Sequence, residues 1–346
     1  MRKLIVASTR RGAGKTSVIV GMGQAAGKKL GYLKPFGDRL LYRKKRLWDY
    51  DAALIAQVFR LEDNPEDMSL GFDHSKLRFM YDAAKTRGKL QEMLARVEKG
   101  KDVVLLEAGK DIAYGASVHL DALSLARHTG ASLLAVLSGE EGEVLDDAVL
   151  LKQRMDTSGV DLAGVIVNRV HDPEDFRGDT GGALSALGLP LLGVLPRSDE
   201  LTQISVGFLA ESLFAKVIAG EAGLRGVIGA IFVGAMSADA ALRNPVFAQP
   251  DKLVITSGDR SDMILAALEG GSAAILLSNN ILPPANLISL ATERGVPMLL
   301  AADDTFAVAK QVDDLELLLT RDDEAKIAKL AALAKEHLDL ARILGA

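Results

Sequence analysis

The sequence predicts a doubly wound α/β fold with a mostly parallel central sheet, followed by a smaller α/β unit and a C-terminal helix. Three observations predict it. Continuous apolar runs recur along the first 200 residues, segments with helical spacing separate them, and the first run leads straight into Gly12-Ala13-Gly14-Lys15-Thr16. Strands buried on both faces of a parallel sheet read as unbroken apolar runs. Their alternation with helices is the pattern of an α/β domain.

The first run, Leu4 to Ala7, precedes a helical stretch from Ser17 to Leu30 that stops near Gly31. Tyr32-Leu33 reads as a short strand before Lys34-Pro35, Asp51 to Phe59 has helical spacing, and Asp82 to Lys99 ends before Gly100. Val103 to Leu106 is the next buried strand, and Leu120 to Arg127 is a helix ending near Gly130. Ser132 to Leu137, Gly164 to Val167 and Leu191 to Leu195 complete the strands. After Pro196-Arg197-Ser198 the pattern restarts on a smaller scale, which sets domains at 1–200 and 201–346. Gly226 to Phe232, Lys252 to Thr256, Ala273 to Leu277 and Pro297 to Ala301 are its strands; Asp262 to Leu268 and Asn286 to Arg294 are its helices. Asp322 to Leu344 reads as a C-terminal helix with one face packed on that unit or on a partner.

Composition excludes several classes. At 346 residues the chain suits two domains, and 49% apolar with 25% charged residues argues against disorder. A net charge of −5 without long basic runs argues against nucleic acid or a polybasic membrane anchor as partner. The absence of cysteine removes disulfides, thiolate zinc sites and cysteine nucleophiles. Met1-Arg2-Lys3 leads into a short strand rather than a signal-peptide core, and no run approaches the roughly 18 apolar residues of a membrane span. A cytoplasmic protein is the expectation.

Gly14-Lys15-Thr16 between a strand and a helix is a phosphate-binding loop, and it calls for ATP with Mg2+. Backbone N–H groups of Arg11, Gly12, Ala13 and Gly14 can wrap phosphate oxygens, and Lys15 can reach the terminal phosphates. The Thr16 hydroxyl can sit on magnesium, and with Ser17 it opens a helix whose positive end favours the anion. The usual spacing asks for glycine at position 9, where this chain has Thr9. Phosphoryl transfer needs carboxylates for the metal. Glu107 ends the apolar run Val103 to Leu106, at the crevice where open α/β sheets bind ligands. Asp49 and Asp51 form an acidic pair beside a helix start, where either also serves as a cap. Lys34 is a cation at another strand end, suited to a phosphate or substrate or else merely solvated. Asn168 closes the strand Gly164 to Val167 and offers the donor and acceptor edges that read an adenine, or fills a turn. Gly258-Asp259-Arg260 precedes a helix in the second unit, either as an anion site or as a turn capped by Asp259 or Ser261. The five histidines lack metal-site spacing, and no G-x-S-x-G elbow is present.

With Lys34-Pro35, Asp51, Glu107 and Asn168 following the loop in this order, the first 200 residues resemble the dethiobiotin synthetase branch of the P-loop ATPases. The whole chain resembles the N-terminal, non-catalytic region of long-form phosphate acetyltransferases. That resemblance runs through Asp49-Tyr50-Asp51-Ala52-Ala53-Leu54, Leu61 to Ser69, and Val233-Gly234-Ala235-Met236-Ser237. Lys252 to Asp262 resembles the signature of the DRTGG domain. The synthetase resemblance implies Thr16, Asp51 and Glu107 as magnesium ligands, with Lys15 and Lys34 as the catalytic lysines. Its loop is one residue longer than the usual spacing, so position 9 need not be glycine; its opening glycine is Ser8 here. Its loop glutamate, which helps hold a diamine substrate, is Gly12, and the serine after Lys-Pro gives way to Gly37-Asp38. Arg10 stands where partition-type ATPases carry a lysine that crosses a dimer interface. The resemblance implies a Mg-ATP-binding regulatory protein with a small-molecule ligand and a homo-oligomeric assembly. The alternatives are an ATP-dependent ligase and a partition-like dimerising ATPase. The acetyltransferase domain lies outside this sequence, so acetyl transfer is not expected of it.

Overall fold

The order of the first unit is β1 (Arg2–Ser8), α1 (Lys15–Ala26), β2 (Leu30–Leu33), β3 (Leu40–Arg43), β4 (Arg46–Asp49), α2 (Tyr50–Val58), α3 (His74–Met80), α4 (Ala83–Val97), β5 (Val103–Glu107), α5 (Ala122–Thr129), β6 (Ser132–Leu137), α6 (Glu141–Ser158), β7 (Leu162–Val170), α7 (Pro173–Gly178), α8 (Thr180–Ala186) and β8 (Leu191–Pro196). The structure is a computed structural model and describes residues 1–43, 46–315, 318–321 and 323–345. Six strands form one parallel sheet in the order β2-β5-β1-β6-β7-β8. The chain fills one side of β1 first and the other side afterwards, so the order reverses at β1. Ligand crevices of such sheets open at the carboxyl ends of strands flanking that reversal. The register sets Val6 opposite Glu107, which brings the end of β5 beside the loop that follows β1.

Helix α1 ends at Ala26, four residues short of the expected Leu30. Gly27 takes a left-handed φ of 61° there, and Leu30 starts β2 instead. The antiparallel hairpin of β3 and β4 has no counterpart in the sequence reading.

The second unit contains β9 (Ile204–Ser205), α9 (Val206–Ser212), β10 (Lys216–Ala219), β11 (Val227–Ile228), β12 (Ala230–Val233), α10 (Ala238–Ala241), β13 (Lys252–Ser257), α11 (Ser261–Glu269), β14 (Ser272–Ser278), α12 (Ala285–Arg294), β15 (Met298–Leu300) and α13 (Thr305–Asp313). Its sheet runs β10-β15-β14-β13-β12, parallel except for β10. One face packs Phe232, Val254 and Ile275 with Met263 and Ile264 of α11; the other packs Leu253, Ile255 and Leu276 with Val308 and Val312 of α13. The expected strand Gly226 to Phe232 is broken in two. β11 pairs with β9, β12 joins the sheet, and between them the Gly229 N–H donates to the Asp251 carbonyl (2.8 Å).

The chain then returns to the first unit as α14 (Glu324–His337) and α15 (Leu340–Leu344). The compact units are therefore Met1–Ser198 with Leu319–Ala346, and Asp199–Leu318. This corrects the contiguous 201–346 domain and the expected packing of the C-terminal helix on it or on a partner; Asp322, its expected first residue, lies outside the described residues. Helix α14 runs against α1 so closely that a Cβ on Gly21 would come 2.7 Å from the Leu330 carbonyl and 3.2 Å from Ala334 Cβ. The Asp339 N–H donates to the Leu192 carbonyl (2.8 Å), and Leu338 bridges Gly193, so the same segment covers the β8 edge. No helix among the described residues is long and apolar enough to cross a membrane.

Gly21→Ala tests this packing. Helix propensity alone would stabilise α1 by about 1 kcal/mol. Overpacking against the Leu330 backbone costs about 1–3 kcal/mol, so the variant is expected to have a lower urea midpoint than the unaltered chain. A raised midpoint would mean that α14 does not sit so tightly on α1.

Candidate functional site

The loop between β1 and α1 is held by its own polar atoms. Gly14 has φ 88° and caps α1 without a side chain, which leaves the first-turn N–H groups of α1 directed into the loop. A Cβ at this position would also lie 2.3 Å from Asn168 Nδ2. Asn168 Nδ2 donates to the Ala13 carbonyl (2.9 Å), so this buried amide braces the loop from β7, which continues past it to Val170. One of its two N–H groups is thereby spent on the loop. Lys15 Nζ donates to Ser8 Oγ (3.1 Å) and to the Lys110 carbonyl (3.3 Å), and burial pushes this ammonium below its usual pKa. Arg10 is tied within its own chain to α6, through Asp147 Oδ2 (2.7 Å) and Glu143 Oε1 (2.6 Å), and Thr9 Oγ1 donates to the same aspartate (2.8 Å).

Across from the loop, Glu107 sits buried at the end of β5. It accepts the Thr16 hydroxyl at Oε1 (2.9 Å) and the Tyr32 hydroxyl at Oε2 (2.8 Å). Burial raises its pKa against the pull of Lys34. Asp49 is the cap of α2: Oδ1 accepts the N–H groups of Asp51 (2.9 Å) and Ala52 (3.2 Å), and Oδ2 those of Asp38 (2.9 Å) and Arg39 (3.2 Å). Burial raises its pKa as well. Asp51 binds Lys34 Nζ directly and Arg39 Nη1 at 3.1 Å. Burial would raise its pKa, but Lys34 and then Arg39 bring it below the usual carboxylate value.

Lys34 Nζ stands 2.7 Å from Asp38, 3.7 Å from Asp49 and 3.8 Å from Glu107, as well as against Asp51. It is fully buried, so it is no solvated surface charge. Burial alone would lower its pKa; Glu107, Asp51, Asp49 and Asp38 together lift it well above the usual lysine value. Lys15, Thr16, Lys34, Asp51 and Glu107 thus converge on one crevice. Its oxygen atoms, from one hydroxyl and two carboxylates that already pair with one another or with Lys34 and Arg39, are of the kind that suits a hard cation such as Mg2+. Ser8, Tyr32, Asp38, Arg39 and Lys110 escaped the sequence reading. Ser8 had left a signal as the residue in place of the loop's opening glycine, Tyr32 as part of a strand, and Asp38 as the residue that with Gly37 replaces a serine after Lys34-Pro35.

In the second unit Arg260 Nη2 donates to the Met236 carbonyl (2.8 Å) and Nε to Asp262 (3.3 Å). A Cβ on Gly258 would lie 1.8 Å from the Ile281 carbonyl, so this glycine serves close backbone packing. The N-cap of α11 is Arg260, with no side-chain cap bond, rather than Asp259 or Ser261.

Residues 2–205 match the AAA domain family and residues 208–315 the DRTGG domain family. The chain is 25% identical over 360 residues to the phosphate acetyltransferase of Nitratidesulfovibrio vulgaris, covering 97% of this chain and 50% of the relative. It is 28% identical over 379 residues to that of Pseudomonas putida, covering 99% and 51%. It thus spans about half the length of these relatives and corresponds to their N-terminal region. Among solved structures, a chain of the MinC:MinD cell division protein complex of Aquifex aeolicus is similar at 16% identity and TM-score 0.37, covering 58% of this chain and 83% of that chain.

The charges predict how stability depends on pH. Asp51 titrates below its usual 3.8 in the folded chain, so the unfolded chain binds more protons in that window. Its stabilisation is complete above 3.8 and is lost as pH falls through the folded value. Glu107, shifted up from 4.5, has the opposite sign: its contribution is present below 4.5 and is lost as pH rises through the folded value. Urea unfolding across acid pH is expected to show a shallower acid limb for Asp51→Asn than for the unaltered chain. Parallel curves below about pH 4 would mean that Asp51 is not held ionised in the fold.

Proposed function

The chain belongs to the AAA domain family, and on that premise we propose that its first unit binds Mg-ATP as a regulatory device rather than as an acetyltransferase. The hydrogen bond from Thr16 to Glu107 carries this reading, since it joins the loop's hydroxyl to the carboxylate at the end of β5. Lys15 and the first-turn N–H groups of α1 hold the phosphates, while Gly14 lets the backbone pass close to them. Thr16, Asp51 and Glu107 hold the metal, which when bound neutralises charge on the terminal phosphates. Asn168 keeps the loop in shape through Ala13. The DRTGG unit takes a small-molecule ligand, with Gly258, Asp259 and Arg260 as its candidate site, or mediates self-assembly in the cytoplasm. ATP then acts by its differential affinity for two arrangements of the protein.

One observation favours a second reading, an ATP-dependent ligase. Just past Glu107, Tyr114 stacks on Phe36 (4.9 Å between centroids), His74 meets both rings edge-on (4.6 and 5.0 Å), and Lys110 Nζ lies 5.2 Å from the Tyr114 centroid. Such a wall would seat a phosphoryl acceptor. Against it, Lys34 is enclosed by carboxylates where the ligase would need a lysine facing the acceptor.

Calorimetry with Mg-ATP tests the nucleotide site. Lys15→Ala removes a charge-assisted contact worth about 1.5–3 kcal/mol, which corresponds to affinity lower by about 10–100-fold. Unchanged affinity would remove the site from the loop. ADP release with a panel of metabolites separates the two readings: a flat response is expected of the regulatory protein, and strong stimulation by one organic acid or amine would establish the ligase.

A further inference from the structure

Asp38, Asp49 and Asp51 each bring a carboxylate oxygen within 4.8 Å of the other two, and Glu107 joins them through Lys34. Such a spacing suits a small cation, and the cation there is the Lys34 ammonium. It touches Asp51 and lies 3.8 Å from Glu107, the two carboxylates read above as metal ligands. Magnesium binds oxygen at about 2.0–2.1 Å, so an ion held by Asp51 and Glu107 would need the space the ammonium fills. Two cations there would also repel each other with little screening, because lysine and carboxylates alike are buried. Asp49 is committed to four backbone N–H groups and builds the wall. Asp38 has a different part. It follows Lys34 by four residues in irregular backbone, its side chain is 7% exposed, and its carboxylate is 2.7 Å from the ammonium.

We propose that Lys34 and a divalent cation compete for Asp51 and Glu107, with Asp38 holding the lysine in the cation's place. Metal alone then binds this chain weakly. Metal brought with a nucleotide binds tightly, since the phosphates give Lys34 another anion and release Asp51. The inference rests on the reading of Asp51 and Glu107 as metal ligands, and it makes the lysine a guard against metal without nucleotide.

The test is Mn2+ binding to the full chain without nucleotide, followed by the electron paramagnetic resonance of free Mn2+. Lys34→Met and Lys34→Gln are each expected to bind Mn2+ at least about tenfold more tightly than the unaltered chain. Adding Asp51→Asn to either variant should abolish the gain. If a neutral variant is unfolded in chelator, Mn2+ is expected to restore its near-ultraviolet circular dichroism. Equal Mn2+ affinity in all three chains, or a variant that stays unfolded in excess Mn2+, would overturn the proposal. Calorimetry of the unaltered chain with Mn-ATP is the separate arm: absence of binding there removes the nucleotide reading, whereas binding there with no gain in the variants removes only the competition.

Discussion

The enclosure of one ammonium by four carboxylates is the constraint around which the first unit is arranged. Lys34 follows β2, Asp49 and Asp51 stand at the junction of β4 and α2, Glu107 ends β5, and Asp38 lies in the irregular stretch between β2 and β3. Removing one partner of a buried ion pair leaves an uncompensated charge and typically costs about 3–5 kcal/mol. The strand ends are therefore not free to drift apart. A cluster of this kind is a poor source of net stability, because desolvation offsets most of the attraction. What it confers is position, with Glu107 fixed against the Thr16 hydroxyl.

The phosphate loop is restrained in the same manner from the other side. Asn168 reaches from β7 to the Ala13 carbonyl, Lys15 ties back to Ser8 and Lys110, and Thr9 and Arg10 are bound to α6. The helix that starts at Lys15 is pressed by α14 at Gly21. Loop and helix thus have their backbone fixed by contacts from β7, α6 and α14.

Much of this was legible in the sequence because it follows from local rules. Apolar runs marked β1, β5, β6 and β8, and Gly-Lys-Thr after the first of them located the loop. The carboxyl end of a buried strand located Glu107, and a capping position located Asp49. The remainder depends on non-local partners. Gly27 ended α1 early through its left-handed backbone, although the apolar pattern continues to Leu30. The contact of Asn168 with Ala13 could not be read locally, because it joins residues on β7 and in the loop after β1. Asp38 and Lys34 are four apart without a helix between them, so helical spacing rules did not apply. The C-terminal helix carries an apolar stripe that says only that it packs. Its partner, at Gly21, lies some three hundred residues earlier.

That return of the chain brings its C-terminal segment to two sides of the first unit. The polypeptide leaves after Ser198 and re-enters at Leu319, whose carbonyl accepts the Tyr50 hydroxyl (3.1 Å). Tyr50 opens α2 between Asp49, which caps that helix, and Asp51, which pairs with Lys34 and Arg39. From there the chain continues into α14 on the back of α1. One covalent segment therefore touches the acidic side of the crevice and then the helix that bears the loop.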